Sequence, residues 1–160
     1  MRFVFVDRIV TVEPHRRIET STSVSGLDDV FADHFPGYPV LPGALVVEAF
    51  GQAARLLIGL SHDFARVGRL RRLSRVAFRH QVRPGEHLAI RCERRAGKGP
   101  WVLDAVARAD GRRVAEAVLE YAIEPATPGT EDGACAERLR ALARELRALP
   151  AEIEARGARG

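Results

Sequence analysis

Apolar positions along the chain switch between two periods. Ile9, Val10 and Val12 mark an early strand that ends at Glu13-Pro14-His15-Arg16, and Ile18–Val24, rich in Thr and Ser, returns from that turn as a second strand. Leu27–Gly37 is irregular, and the Pro and Gly of His34-Phe35-Pro36-Gly37-Tyr38-Pro39 exclude regular helix or central strand. From Leu41-Pro42-Gly43 to about Leu60 the pattern is that of one long helix, with Pro42 in the first turn. Ala44, Leu45, Val46, Val47, Ala49, Phe50 and the residues after them are apolar on almost every side, which predicts a buried helix. Its polar exceptions, Glu48, Gln52 and Arg55, sit at i, i+4 and i+7 and form one narrow stripe.

Strand periodicity then returns over Leu70–Arg79, His87–Arg95, Trp101–Ala109 and Arg113–Ile123, with turns at Arg83-Pro84-Gly85-Glu86, Gly97-Lys98-Gly99-Pro100 and Asp110-Gly111. One buried helix and several antiparallel strands at hairpin spacing predict an α+β domain with a curved antiparallel sheet around a central helix. Residues 1–125 are expected to form that domain. Residues 126–160 are expected to form a linker, Pro125–Gly133, and a C-terminal amphipathic helix from about Ala134. Leu139, Leu142, Leu146, Leu149 and Ile153 make its apolar stripe, expected to pack on the domain or a neighbouring subunit, with Pro150 kinking or ending it.

Composition adds exclusions. The five histidines and two cysteines show no metal-ligand spacing, and no phosphate-binding glycine loop is present, so neither a metal nor a nucleotide cofactor is expected. Cys92 alternates with Leu88 and Ile90 and reads as a small buried apolar residue. Met1–Val12 carries Arg2, Asp7 and Arg8 without an apolar run, and Leu41–Leu60 carries Glu48, Gln52 and Arg55. Neither a signal peptide nor a membrane span is expected, and the expected location is cytoplasmic. The net charge of +4 is modest, but Arg66, Arg69, Arg71, Arg72, Arg75, Arg79 and Arg83 follow one another without an acidic residue. A solvated strand face explains such a run; so does a dock for an anionic partner. With few aromatics among them, nucleic acid is the weakest candidate.

Three elements of enolate chemistry lie within fifteen residues. Glu48 is a carboxyl group on a buried helix, which needs a partner or takes up a proton, the state that suits a general acid. The plain alternative is a glutamate on an exposed stripe, paired with Arg55 or with a neighbouring chain. His34, in a loop stiffened by Pro36 and Pro39, is of the residue type that serves as a base near neutral pH, although a loop histidine is also commonly structural. The helix start supplies free backbone N–H groups, that of Gly43 included, for a developing oxyanion.

The run His34-Phe35-Pro36-Gly37-Tyr38-Pro39-Val40-Leu41-Pro42-Gly43, with Glu48 fourteen residues after His34 and Gln52 four later, resembles the signature of the 3-hydroxyacyl-acyl-carrier-protein dehydratases. Val6-Asp7-Arg8, Phe78-Arg79 and Arg83-Pro84-Gly85-Glu86 extend the resemblance to roughly Phe3–Ile123. It implies a hotdog fold, a dimer with the site at the interface, and His34 of one chain facing Glu48 of its partner. By the same resemblance His34 takes the α-proton, the Gly43 N–H holds the thioester oxygen, and Glu48, positioned by Gln52, protonates the departing hydroxyl. Phe78 would line the acyl tunnel. An acidic acyl carrier protein with a phosphopantetheine-linked substrate would dock on Arg71, Arg72, Arg75 and Arg79. An acyl thioesterase and a non-catalytic acyl-binding subunit are the alternatives on the same fold. Asp33 stands where the family commonly has Gly, and Gln81 where it has Pro.

Overall fold

The computed structural model describes residues 4–24 and 37–148. Six strands, β1 (Arg8–Glu13), β2 (Arg17–Ser23), β3 (Arg66–Phe78), β4 (His87–Arg94), β5 (Trp101–Ala109) and β6 (Arg112–Pro125), form one antiparallel sheet in the order β1-β2-β4-β5-β6-β3. Two helices accompany it, α1 (Gly43–Ser61) and α2 (Glu131–Ala148). The long helix wrapped by an antiparallel sheet is the hotdog arrangement.

Alternation explains how the sheet holds α1. Ile18, Thr20 and Thr22 of β2, Leu88, Ile90 and Cys92 of β4, Trp101, Leu103, Ala105 and Ala107 of β5, and Ala117, Leu119 and Tyr121 of β6 are all buried, every second residue along each strand. Small residues meet at the centre. Ala49, Ala53 and Ala54 of α1 and Ala105, Ala107 and Ala117 of the sheet are all buried in one core, where short side chains let helix and sheet approach closely. Phe50, Leu56, Leu57 and Ile58 fill the flanks. α1 is long and apolar enough to cross a bilayer by length and composition, yet 56% of it is already buried by the chain itself, as in a core helix. Cys92 packs in this core, its thiol pushed up to about 12 by burial. Register shifts in β1–β2, β3–β6 and β5–β6 supply the bulges that increase twist and bend the sheet around α1.

α2 begins earlier than its apolar stripe announces. Thr130, three residues inside the expected linker, accepts the Gly133 N–H on its hydroxyl at 3.2 Å, and Glu131 and Asp132 occupy the first turn. The Thr-Glu-Asp sequence is a helix-start signal that outranks the linker composition. Leu146 of the stripe is buried, beside Ala136 and Ala143, and Leu139 and Leu142 pack against the same core, so the described part of the stripe rests on its own chain. Leu149, Pro150 and Ile153 lie outside the described residues.

At the far end of α1, four segments meet in a ring cluster. The His15 and His62 rings are edge to face at 5.1 Å, His62 lies 5.5 Å from Trp101, and the Arg94 guanidinium covers Trp101 at 4.3 Å. Burial, with the positive charges of His15, Arg66 and Arg94 around it, holds His62 below the usual imidazole range. Protonation is therefore disfavoured in the folded state. As pH falls below about 6.5 the unfolded chain takes up this proton more readily, and stability declines. Melting temperature measured between pH 7.5 and 5 should fall, and His62→Phe should make the fall shallower; an unchanged slope would contradict this role.

Candidate active site

The start of α1 is open by construction. Pro42 carries the N-cap position at φ −56° and ψ 134° with no side-chain cap, and the first turn holds no acidic residue, so the helix's positive end is not neutralised locally. The Pro42 carbonyl accepts the N–H groups of Leu45 at 2.9 Å and Val46 at 3.4 Å. The Gly43 N–H, in the first helical turn, stays outside that ladder. The Leu41 N–H donates to the Val82 carbonyl at 2.8 Å, and Arg83 both donates to the Tyr38 hydroxyl and stacks on its ring at 4.8 Å. These contacts fix the chain leading into the helix. Tyr38, which the motif leaves variable, is thus one anchor of the segment that follows His34.

Phe78 closes over this helix start. A Cβ on residue 43 would lie 2.7 Å from the ring, so glycine lets the tip of the Phe78 ring sit against the backbone there. Together Gly43, Val46, Phe78, Val82 and Val114 line an apolar cavity of about 450 Å³. Phe78 remains 55% exposed, an apolar ring presented outward rather than consumed by the core. Next to it, Arg79, His80, Gln81, Arg83, Glu86 and Arg112 surround a mostly basic, polar basin of about 580 Å³. In it Arg112 is paired with Glu86 at 2.7 Å, and it shares Arg79, His80 and Gln81 with the apolar cavity.

Glu48 and Gln52 do not line that cavity. Glu48 lies five residues beyond Gly43, about 140° around the helix axis and about 7.5 Å along it. It stands on the half-exposed stripe, where the Gln52 amide and the Arg55 guanidinium both donate to its Oε1, each at 3.0 Å. Among the described residues Oε2 receives no hydrogen bond. The carboxylate is therefore met on an open, ion-paired stripe, not sealed in the core, which is the plainer of the two expectations for this residue. Gln52 also accepts the Phe5 N–H at 2.8 Å, tying the N-terminal segment to the same cluster. Asp7 in turn accepts the Ser23 N–H at 2.7 Å, which gives the Val6-Asp7-Arg8 sequence a structural purpose.

Below the stripe lies Tyr121, fully buried, whose hydroxyl has no hydrogen-bond partner among the described residues. Burial pushes its phenol well above the usual range, so it stays protonated. Nothing in the alternation of β6 distinguishes Tyr121 from a core aromatic. His34, like Asp33, lies outside the described residues.

Of the candidate docking arginines, Arg71 pairs with Glu124 at 3.2 Å and Arg79 pairs with Glu116. Arg69 is held by both oxygens of Asp132 at 2.9 and 3.0 Å. Arg72 and Arg75 form no ion pair among the described residues, and Arg75 sits at φ 51° in a bulge of β3. The acidic partners come from β6 and α2, remote in sequence, which is why the run looked unbalanced.

Residues 1–118 match a family model described as a FabA-like domain. The chain is 36% identical over 125 residues to a 3-hydroxyacyl-acyl-carrier-protein dehydratase FabZ of Bacillus pumilus, covering 77% of this chain and 87% of that one. It is 40% identical over 120 residues to a protein of the same name from Anaeromyxobacter sp. (strain K), covering 72% and 77%. Among solved structures, the dehydratase heterocomplex ApeI:P from Xenorhabdus doucetiae superposes with a TM-score of 0.62 at 15% identity, over 78% of this chain and 84% of that one. A hypothetical thioesterase with coenzyme A from Streptococcus pneumoniae superposes at 0.60 and 17% identity, over 74% and 88%. At such identities the likeness concerns the hotdog fold, which dehydratases and thioesterases share. The sequence matches are the specific ones, and by them this chain belongs to the FabA-like, 3-hydroxyacyl-acyl-carrier-protein dehydratase family.

Proposed function

We propose that the chain dehydrates a carrier-protein-bound 3-hydroxyacyl thioester to the trans-2-enoyl thioester, in fatty-acid or polyketide-type synthesis. The observation that carries this reading is the placement of Glu48: a carboxyl group on a half-exposed stripe of a core helix, with one oxygen held by two donors and the other receiving no hydrogen bond among the described residues. In the proposed reaction His34 takes the C2 proton, and negative charge gathers on the thioester oxygen at the Gly43 N–H. The C3–O bond then breaks as Glu48, entering the step as the carboxylic acid with its proton on Oε2, protonates the departing hydroxyl, which leaves as water. The proton taken by His34 passes to solvent and Glu48 is reprotonated from it, which closes the cycle. No cofactor enters the scheme. The reverse sequence is hydration.

The separation of the two half-sites around α1 favours a site shared between two chains. Glu48 points away from the cavity at Gly43 and Phe78, so a partner copy is the natural source of a carboxylate for that cavity. A homodimer is also favoured by β3, an edge strand that leaves Leu70, Leu73, Val76 and Phe78 exposed. In this reading residues 1–125 are the catalytic unit and residues 126–160 an extension, of which the described part packs on it. The acidic carrier would be drawn by Arg72 and Arg75, with Arg71 and Arg79 beside them, and Arg79 borders the basic basin next to the apolar cavity.

Incubation of the protein with a 3-hydroxyacyl thioester should raise enoyl absorbance without releasing free thiol. His34→Ala and Glu48→Gln should each lower the rate by about 100-fold or more. Mixing the two inactive variants should restore part of the activity through heterodimers. Free thiol without enoyl product would instead identify a thioesterase, and full activity in both variants would remove the proton-transfer pair. Phe78→Ala, at an exposed position, should change melting temperature little but raise KM for a medium-chain substrate by roughly tenfold. An unchanged KM would take Phe78 out of the acyl site.

A further inference from the structure

Glu48, Gly51, Gln52 and Arg55 occupy i, i+3, i+4 and i+7 of α1 and therefore share one face. Glu48 and Arg55 are two turns apart, about 10.5 Å along the axis. Their side chains meet only if Arg55 runs back flat along the helix toward its N-terminal end, the direction in which helical side chains lean. The route crosses residue 51. A Cβ there would stand 3.3 Å from Arg55 Nη1 and 3.8 Å from its Cζ, so the guanidinium lies in the space that glycine leaves open. The same point is 3.7 Å from the buried Tyr121 hydroxyl, which closes the groove from below.

Arg55 Nη2 and Gln52 Nε2 converge on Oε1 of Glu48, each at 3.0 Å. Two donors on one oxygen restrain the carboxylate and leave Oε2 without a hydrogen bond among the described residues. An exposed salt bridge contributes little to stability, so this pair has small structural value of its own. Its value lies in orientation.

We propose that Arg55 is a positioning residue for the reaction: laid across Gly51, it clamps Oε1 of Glu48 and directs Oε2 at the substrate. The inference rests on the dehydratase reading and names a residue that acts through Glu48 without touching substrate. A carboxylate released from one of its two donors samples orientations that miss the departing hydroxyl, and misplacement by about 1 Å costs on the order of 100-fold in rate. The loss falls on kcat because Glu48 acts as the C–O bond breaks, after the acyl chain is bound.

Two variants test this in the full-length protein. Arg55→Ala removes the clamp. Gly51→Ala crowds it with a single methyl group 3.3 Å from Nη1, to which the flexible end of Arg55 must yield by a few tenths of an ångström, in a helix where alanine is the better former. Arg55→Ala should lower kcat by roughly 10-fold to 100-fold and Gly51→Ala by a smaller factor, about threefold or more, each with KM within about twofold of wild type. Gly51→Ala should melt at or above the wild-type temperature. Guanidinium chloride at non-denaturing concentration should partly restore Arg55→Ala, while sodium chloride at equal ionic strength should not. Wild-type kcat in both variants, a loss confined to KM, or a loss that follows the melting temperature would overturn the clamp. Failure of the underlying reading is distinct: wild-type protein would then form no enoyl product, or Glu48→Gln would remain active.

Discussion

The structure is organised by the need to bury α1. A nineteen-residue helix that is apolar on nearly every side is insoluble alone, and a sheet one layer thick covers only part of its circumference. The sheet answers by curling, with bulges at several registers and alanines at the centre of the contact. What a single curved sheet leaves uncovered is a strip carrying Ala44, Val47, Glu48, Gln52 and Arg55, none of them fully buried. The functional polar residues of the helix sit in that strip, where a carboxylate keeps access to solvent or to a second chain while its helix is held rigidly.

Rigidity at the helix start comes from a different source. The segment after residue 37 is pinned by the Leu41–Val82 hydrogen bond and by the Arg83–Tyr38 contact, and Phe78 is laid on Gly43. An uncapped helix terminus is normally a weakness. Here it is framed by apolar walls, which raise the worth of each backbone N–H toward a developing negative charge by excluding water. The basic basin beside the cavity adds a second, solvated zone, so an extended ligand with an apolar end and an anionic end meets matching surfaces in sequence.

Charge on the surface is less lopsided than its linear order. The arginines of β3 and Arg79 just after it face carboxylates delivered by β6 and α2: Arg71 with Glu124, Arg79 with Glu116, Arg69 with Asp132. Antiparallel pairing places residues some forty to sixty positions apart side by side, which turns a run of one sign into local ion pairs. Arg75 is left over at a register shift of β3, where the ladder that supplies partners is interrupted, and Arg72, although opposite Glu120 in the ladder, forms no ion pair among the described residues.

Local periodicity was enough to determine much of this protein. The alternation in β4 and β5, the all-round apolarity of α1 and the spacing from His34 through Glu48 to Gln52 each depend on neighbours within a few turns or pairs, and they announce the helix, the strands and the candidate chemistry. The start of α2 is also legible in Thr130-Glu131-Asp132, a local capping signal inside a segment of linker composition. Other features were decided only in three dimensions. That Glu48 shares its Oε1 between Gln52 and Arg55, that Phe78 needs the bare backbone of Gly43, and that Tyr121 forms the floor beneath Gly51 are matters of distance between side chains from different elements. Sequence spacing specifies which face a residue occupies; only packing specifies what stands opposite it, because the curvature of the sheet sets that distance.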